Sequence, residues 1–383
     1  MKDLLDYANV YYEKFNIIKK EIEDQFPINI NQIEKYKKKY PDFPITELLN
    51  LIDLQQKAFS KIPFSKKWFF SNKNMQQASH YKIAIYHSKI FQRFNTIADL
   101  CSGIGSDLLY LSKNKSKCYA IDYDELILEM CKFNMSLFER ANIFYKNMLA
   151  ENFVDEVEAI FLDPDRRQSN RRLIRFEDLS PNFQSIKNLF EKYDNVAIKL
   201  SPLFDFESSL YKDFSFDFVS LNGELKECLL KTGCLRGKNK AVLLSTNIIL
   251  EQENHQETDI KDINYWLLEP DPAIIRSHLV NDLAYTLKVN RVDYNISLLT
   301  SRTRPDNRYG KIYEVIDTFD YNLKSLNSYL IKKNIGIIDI KTKGFSESIE
   351  NFRKKLTLKG NEKGLIFIIR KSKKHICIVA KEV

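Results

Sequence analysis

Ile97-Ala-Asp-Leu-Cys-Ser-Gly-Ile-Gly-Ser-Asp107 is the stretch on which the fold of this 383-residue chain turns. A short apolar run ends in Asp99 and passes into a loop with two glycines one residue apart, Gly103 and Gly105. An apolar helical pattern follows at Leu108-Leu-Tyr-Leu111. A second apolar run, Cys118-Tyr-Ala-Ile121, then closes on Asp122. Strand, glycine loop, helix, strand and acid form the arrangement that wraps a nucleoside-containing cofactor in a doubly wound sheet. The glycines let the backbone approach the ligand, and the second-strand carboxylate accepts hydrogen bonds from ribose hydroxyls.

Working outward, the same sheet continues. Asn142-Ile-Phe-Tyr145 reads as a third strand leading to Asn147, and Val157–Leu162 as a fourth, ending in Asp163-Pro-Asp-Arg-Arg167. Val196–Leu200 reads as a fifth, containing Lys199 and followed by Ser201. Phe216–Leu221 and Ala241–Leu244 complete a seven-stranded pattern, with Asn222–Glu227 between them read as a turn and a short helical stretch. Strands alternating with helical patterns argue a parallel sheet with its ligands at the carboxyl ends. Asp99, Asp122, Asn147, Asp163 and Ser201 all fall at such ends.

A dinucleotide site needs a third glycine three residues on, and that position is Leu108. Asp99 would also repel a pyrophosphate, whereas it suits a cofactor carrying an ammonium or sulfonium cation. The segment resembles the first motif of the class I S-adenosylmethionine-dependent methyltransferases, with Cys101 in place of the usual first glycine. That resemblance implies an α/β Rossmann-like seven-stranded methyltransferase sheet and S-adenosyl-L-methionine as cofactor. It places the cofactor contacts on Asp99, Cys101, Ser102, Gly103, Gly105, Asp122, Tyr123, Asn147 and Asp163. Asn147 stands where the family contacts the adenine amino group. Gln77, Ser79 and Lys82 stand where a segment just before the first strand lies over the cofactor, or serve as ordinary helix-start residues.

At the fourth strand, Asp163 is the expected group for orienting or deprotonating a nucleophile, with Arg166 beside it as the second catalytic candidate. An Asp-Pro-Asp-Arg sequence without an aromatic argues against methylation of an exocyclic amine. The lack of any cysteine between Cys131 and Cys228 argues against carbon methylation of uracil. Arg167, Arg171 and Arg172, with Arg175 nearby, suit bidentate recognition of phosphate or carboxylate on a substrate. The same arginines also suit pairing with Asp163, Asp165, Glu177 and Asp178 within the loop. Lys199 is either a substrate-side charge partner or half of a structural salt bridge.

Composition bounds the rest. The chain is 44% apolar and 29% charged, a soluble globular mix. It has no apolar run long enough for a membrane span and no apolar leader core. Six dispersed cysteines and five dispersed histidines lack metal-ligand spacing. The expectation is a cytoplasmic protein with reduced thiols, no metal and no membrane partner. Net charge is +8, and residues 322–383 hold 15 lysines and arginines against 5 acidic residues. That net of +10 leaves −2 for the remainder, which is either an electrostatic footprint for a polyanion or a solubilising face.

Residues 1 to about 60 show helical periodicity. Leu4, Leu5, Ala8, Tyr11, Tyr12, Phe15 and Ile18 fall on one face, and Ile45, Leu48, Leu49 and Ile52 on another. Glu251–Asp262 reads as a polar loop, and Glu269-Pro-Asp-Pro272 as a boundary. Helix is expected over Ile274–Leu287, with short strands at Ile296–Leu299 and Ile312–Ile316. The last 60 residues read helix, strand, helix, and a hairpin around Lys371–Lys374.

This order resembles a bacterial group of class I methyltransferases with a C-terminal THUMP-like domain. The motifs that carry the likeness are the glycine loop, Asp163–Arg167, Lys199–Pro202, Glu269–Pro272 and Lys341-Thr-Lys-Gly344. It implies four parts: an N-terminal helical region (1–88), a methyltransferase domain (89–270), a small ferredoxin-like α+β module (271–321) and a basic THUMP-like domain (322–383). It further implies an RNA substrate, since THUMP domains are associated with RNA binding. A protein or small acidic metabolite as substrate, and a non-catalytic S-adenosylmethionine- and RNA-binding protein, are the rival readings.

Overall fold

A computed structural model describes all residues except 139, 167–178, 181–182, 205, 207–211 and 254. Among the described residues, eleven strands occupy the region to residue 251. They are β1 (Thr96–Leu100), β2 (Lys117–Asp122), β3 (Ile143–Asn147), β4 (Ala159–Leu162), the two-residue β5 (Asp165–Arg166) and β6 (Leu179–Ser180), β7 (Val196–Leu200), β8 (Ser215–Leu221), β9 (Glu224–Lys231), β10 (Lys240–Leu243) and β11 (Ile248–Glu251). All but β5 and β6 form one sheet in the order β11-β10-β8-β9-β7-β4-β1-β2-β3. From β3 to β7 the pairing is parallel. Asp99 stands opposite Ala120 on one side and Phe161 on the other, so β1 is central. Ile97–Leu100 are buried as a continuous apolar run with one acid in it, the pattern of a strand covered on both faces.

The sheet therefore has nine strands rather than the expected seven. The difference begins at Asn222-Gly223, where both residues have positive φ, 55° and 73°. That is the requirement of a two-residue type I′ hairpin, and Asn-Gly is its favoured sequence. Glu224–Lys231 is consequently strand β9 rather than a helical stretch. Its residues Glu-Leu-Lys-Glu-Cys-Leu-Leu-Lys are mostly good helix formers, and burial between neighbouring strands overrides that weak propensity. The added strand β11 pairs antiparallel with β10.

The N-terminal region forms α1 (Lys2–Val10), α2 (Tyr12–Glu23), α3 (Ile30–Lys39) and α4 (Ile45–Ala58), followed by α5 (Asn72–Gln77) and α6 (Tyr81–Ile90). The expected single face from Leu4 to Ile18 is broken at Tyr11, whose backbone (φ −124°, ψ 51°) leaves the helical region. Leu4, Leu5, Ala8, Phe15 and Ile18 are buried, while Tyr11 and Tyr12 are exposed at the corner. Helices α7 (Leu108–Leu111), α8 (Glu125–Ser136) and α9 (Phe183–Lys192) complete this part. Side chains of α1–α4 and α8 share one hydrophobic core with Ile97, Cys118 and Phe161 of the sheet.

The C-terminal part contains α10 (Pro272–Arg276), α11 (Val280–Leu287), β12 (Trp266–Pro270), β13 (Asn290–Asp293), β14 (Ile296–Ser301), β15 (Gly310–Asp320), α12 (Leu323–Lys332), β16 (Ile335–Lys343), α13 (Ile349–Lys354), β17 (Glu362–Lys371) and β18 (Lys374–Glu382). The helix expected over Ile274–Leu287 is two helices, split where His278 takes φ 62°. Seven strands form one sheet, β13-β14-β12-β15-β18-β17-β16. The long β15 pairs with β12 on one edge and β18 on the other. The segments expected as separate modules, 271–321 and 322–383, thus share a sheet. One face of β16–β18 packs against α12 and α13 through Leu326, Leu330 and Phe352. By contacts the chain divides into two compact units, 1–215 with 229–236, and 216–228 with 237–383. Among the described residues no helix is long and apolar enough to cross a membrane.

Candidate active site

The loop after β1 is built by three residues with positive φ: Cys101 (80°), Gly103 (54°) and Gly105 (91°). Cys101 takes a conformation that an L side chain rarely adopts, at the place where glycine was expected. The amides of Cys101 and Ser102 both donate to the Ile121 carbonyl, at 2.9 and 2.8 Å, tying the loop to the end of β2. Gly103 N–H donates to Asp122 Oδ2 at 3.0 Å, and Asp124 N–H to Asp122 Oδ1 at 3.0 Å. A Cβ at Gly105 would lie 2.9 Å from Met135 Cε, so the loop is pressed onto α8. A Cβ at Gly103 would meet nothing within 4 Å, so the backbone there borders open space. The fully buried Asn134 of α8 clamps the loop from below: its Nδ2 donates to the carbonyls of Ile104 and Phe69, and its Oδ1 accepts from Phe69 N–H.

Carboxylates converge on this crevice. Asp99 is 1% exposed, and neither of its side-chain oxygens has a hydrogen-bond partner among the described residues. Burial, then the neighbouring Asp107, Asp163 and Asp122, push its pKa well above the usual carboxylate range, against a weaker pull from His87. Burial acts on Asp107 in the same sense. There the His87 ring, with its Nδ1 2.7 Å from Asp107 Oδ1, reverses the balance and holds the pKa below the ordinary value. His87 is itself fully buried against Phe161. Lys199 Nζ donates to Asp163 Oδ2 at 2.6 Å and to Ser79 Oγ at 3.0 Å. Ser79 N–H in turn donates to Ser106 Oγ at 3.2 Å. The break between α5 and α6 is thereby fastened over the glycine loop.

The structure brings together Asp99, Cys101, Ser102, Gly103, Gly105 and Asp122, and joins Asp163 to them through Lys199, Ser79 and Ser106. Lys199 forms the salt bridge that was one of its two readings. Asn147 sits opposite Asp122 in register, and its Nδ2 donates to the Asp122 carbonyl at 3.0 Å. That bond braces the β2 end instead of leaving the amide wholly for a ligand. Tyr123, next to Asp122, is 60% exposed. Of the pre-strand residues, Ser79 joins the network, Gln77 ends α5, and the Lys82 N–H is capped by His80 Nδ1. Arg166 lies on β5, paired with Leu179. Arg167, Arg171 and Arg172, with Arg175, Glu177 and Asp178, lie outside the described residues.

His87, Asp107 and Asn134 went unassigned in the sequence reading. Asp107 closes the stretch that decided the fold, and its acid four residues after the Asp-x-Cys-x-Gly segment was the available signal. An asparagine inside the apolar helix 125–136 was the signal for Asn134. The buried histidine gave none.

The chain's groups fit S-adenosylmethionine. A buried carboxyl with no donor among the described residues is matched by a ligand ammonium, and the Asp122 carboxylate stands at the open space over Gly103, where such a group suits ribose hydroxyls. Among the described residues no group of three or more His, Cys, Asp or Glu side chains is arranged to hold a metal ion.

The chain is similar to known proteins in sequence and in fold. Residues 310–382 match the THUMP domain-like family. The chain is 23% identical over 310 residues to an uncharacterised S-adenosylmethionine-dependent methyltransferase of Mycobacterium tuberculosis, covering 79% of this chain and 85% of that protein. The match is the same in two strains. Among solved structures, a protein of Porphyromonas gingivalis W83 assigned as a methyltransferase superposes with a TM-score of 0.72 at 18% identity, over 88% of this chain and 90% of that one.

Proposed function

We propose that this chain, a class I S-adenosylmethionine-dependent methyltransferase with a C-terminal THUMP-like domain, methylates structured RNA. The observation that carries the RNA reading is the charge distribution: residues 322–383 have a net charge of +10 on a chain of +8. Lysines and arginines gathered on one small domain attract a phosphate backbone, with an affinity that falls steeply with salt. Shape and unpaired nucleotides, rather than groove reading, select sites on RNA.

S-adenosylmethionine, when bound, supplies a methyl group made electrophilic by the sulfonium. The protein's part is binding and alignment. Asp99 receives the ligand's ammonium, Asp122 its ribose hydroxyls, and the Cys101–Gly105 loop lets the backbone come close. Asp163, oriented by Lys199, faces the acceptor and takes or orients its proton. Lys199, bridged to Ser79, keeps that carboxylate in register with the loop.

The test is incubation of the full chain with methyl-labelled S-adenosylmethionine and total RNA, protein and small-metabolite fractions from cells lacking the enzyme. Label in RNA that disappears with Asp122→Ala supports the proposal. Label confined to protein or metabolites refutes the substrate while leaving the enzyme. Calorimetry with the same variant should show cofactor affinity weakened at least roughly tenfold, since it removes both the ribose acceptor and the anchor of the Gly103 amide.

A further inference from the structure

We infer that a cleft on the N-terminal helices, apart from the cofactor crevice, is a nucleotide-binding site. It encloses about 250 Å³ between α2, α4, the segment before α5, and α8. This is just below the roughly 300 Å³ at which drug-sized pockets begin, and so suits one base with its sugar rather than an extended ligand.

Three observations define what the cleft takes. Its walls are aromatic: Phe15, Phe69 and Phe133 form the buried side, with Phe69 and Phe133 packed edge-on at 4.7 Å, and Tyr12 stands 47% exposed at the rim. Tyr12 is exposed because the helix breaks at Tyr11, and an exposed ring beside an aromatic floor is a stacking platform for a planar ligand. Its rim is cationic. Lys19 is internally neutralised, donating to Glu23 Oε1 at 2.6 Å and to the Lys66 carbonyl at 2.7 Å, and the Lys66 ammonium lies over the Phe59 ring at 5.8 Å, whereas the exposed Lys67 makes no ion pair among the described residues. A lysine on the rim of an aromatic floor asks for an anion attached to a ring system.

The third observation is Gln55, which is 1% exposed. Its Nε2 donates to the Trp68 carbonyl at 2.8 Å, and its Oε1 has no hydrogen-bond partner among the described residues. A buried acceptor left without a donor costs about 1–3 kcal/mol, and an exocyclic amino or imino N–H of a base is a donor of the required kind. Aromatic floor, orphan acceptor and rim lysine together describe a base with a phosphate. Its source is either a free mononucleotide or an unpaired nucleotide of RNA. The RNA source rests on the substrate reading above; the nucleotide chemistry of the cleft does not.

The experiment uses the full chain with two probes: the four nucleoside 5′-monophosphates, followed by ligand-observed NMR, and a short single-stranded RNA carrying 4-thiouridine, followed by photocrosslinking and peptide mapping. Both are run on wild type, on Tyr12→Ala and on Lys66→Glu with Lys67→Glu, and calorimetric binding of S-adenosylmethionine reports whether each variant is folded. The expected result is binding of at least one monophosphate, weakened tenfold or more in both variants with cofactor affinity unchanged. Crosslinks within 12–19 or 66–69 then assign the RNA source. Monophosphate binding without RNA crosslinks in the cleft makes it a mononucleotide site and overturns the RNA source. RNA binding that the variants leave intact, crosslinked elsewhere, overturns the cleft and spares the substrate reading. No binding of either probe overturns the cleft, while the methyl-label experiment decides the substrate separately.

Discussion

At Asp99 a carboxyl group without a donor is held at the centre of the sheet, and its raised pKa has a readable consequence. Folding takes up a proton there between the unfolded pKa of about 4 and the higher folded value, so the ligand-free protein loses this contribution to stability as pH rises through that window. Asp99→Asn removes the titration. Thermal unfolding without ligand should show the variant gaining on wild type as pH rises above the unfolded value of about 4, by about 2–4 °C for each kcal/mol recovered. The same variant should bind S-adenosylmethionine roughly tenfold or more weakly by calorimetry, because a charge-assisted hydrogen bond contributes about 1.5–3 kcal/mol. A variant that gains stability and keeps its affinity would remove Asp99 from the cofactor site. Asp99, Asp122 and Asp163 were all legible in the sequence, since each follows an apolar strand. His87 was not, because its partner lies 20 residues away and only the folded chain brings the two together.

At the scale of elements, the hairpin β8–β9 adds a strand that periodicity placed in a helix. The local signal was present in Asn222-Gly223, and the strand itself was hidden by helix-forming residues whose fate the neighbouring strands decide. Gly223→Val forces a β-branched side chain into φ 73°, at a cost of about 1–2 kcal/mol. A lowered denaturant midpoint with unchanged cofactor affinity is the expected outcome, and an unchanged midpoint would show that the turn tolerates the strain. The break at Tyr11 is a second element-scale difference: the apolar spacing ran through it, but the backbone turns there and leaves Tyr12 at the surface.

Across the molecule, charge works in two ways. In the C-terminal sheet, Glu269 of β12 accepts from Lys341 of β16 and from Tyr313, and Lys343 lies 3.0 Å from its other oxygen. Burial alone would raise the Glu269 pKa, but the two ammonium groups bring it down to about 2. A depressed carboxyl contributes stability above its unfolded pKa of about 4.5 and loses it as pH falls towards 2. Glu269→Gln should therefore unfold more readily than wild type at pH 7, by roughly 2 kcal/mol, with the gap closing near pH 2. Equal loss at both pH values would mean that packing rather than charge is at stake. This pairing joins Glu269–Pro272 to Lys341–Gly344, 72 residues apart at the bonded pair. The other role is the proposed long-range one: on the RNA-substrate proposal, Lys373→Glu at the hairpin tip weakens RNA binding and lowers the slope of log affinity against log salt by about 1, with cofactor affinity unchanged. An unaltered slope would take the hairpin out of the proposed RNA contact.

The sequence by itself determined the order of the central strands, the glycine loop and its acids, and the basic character of the last 60 residues, because these depend on local spacing and on charge, which any one segment carries alone. The tertiary structure alone decided the ninefold sheet, the joining of 271–321 with 322–383 through β15, the buried His87–Asp107 pair and the aromatic cleft at Tyr12. Each of these depends on which distant segments share a neighbour, and burial, unlike periodicity, belongs to the folded chain as a whole.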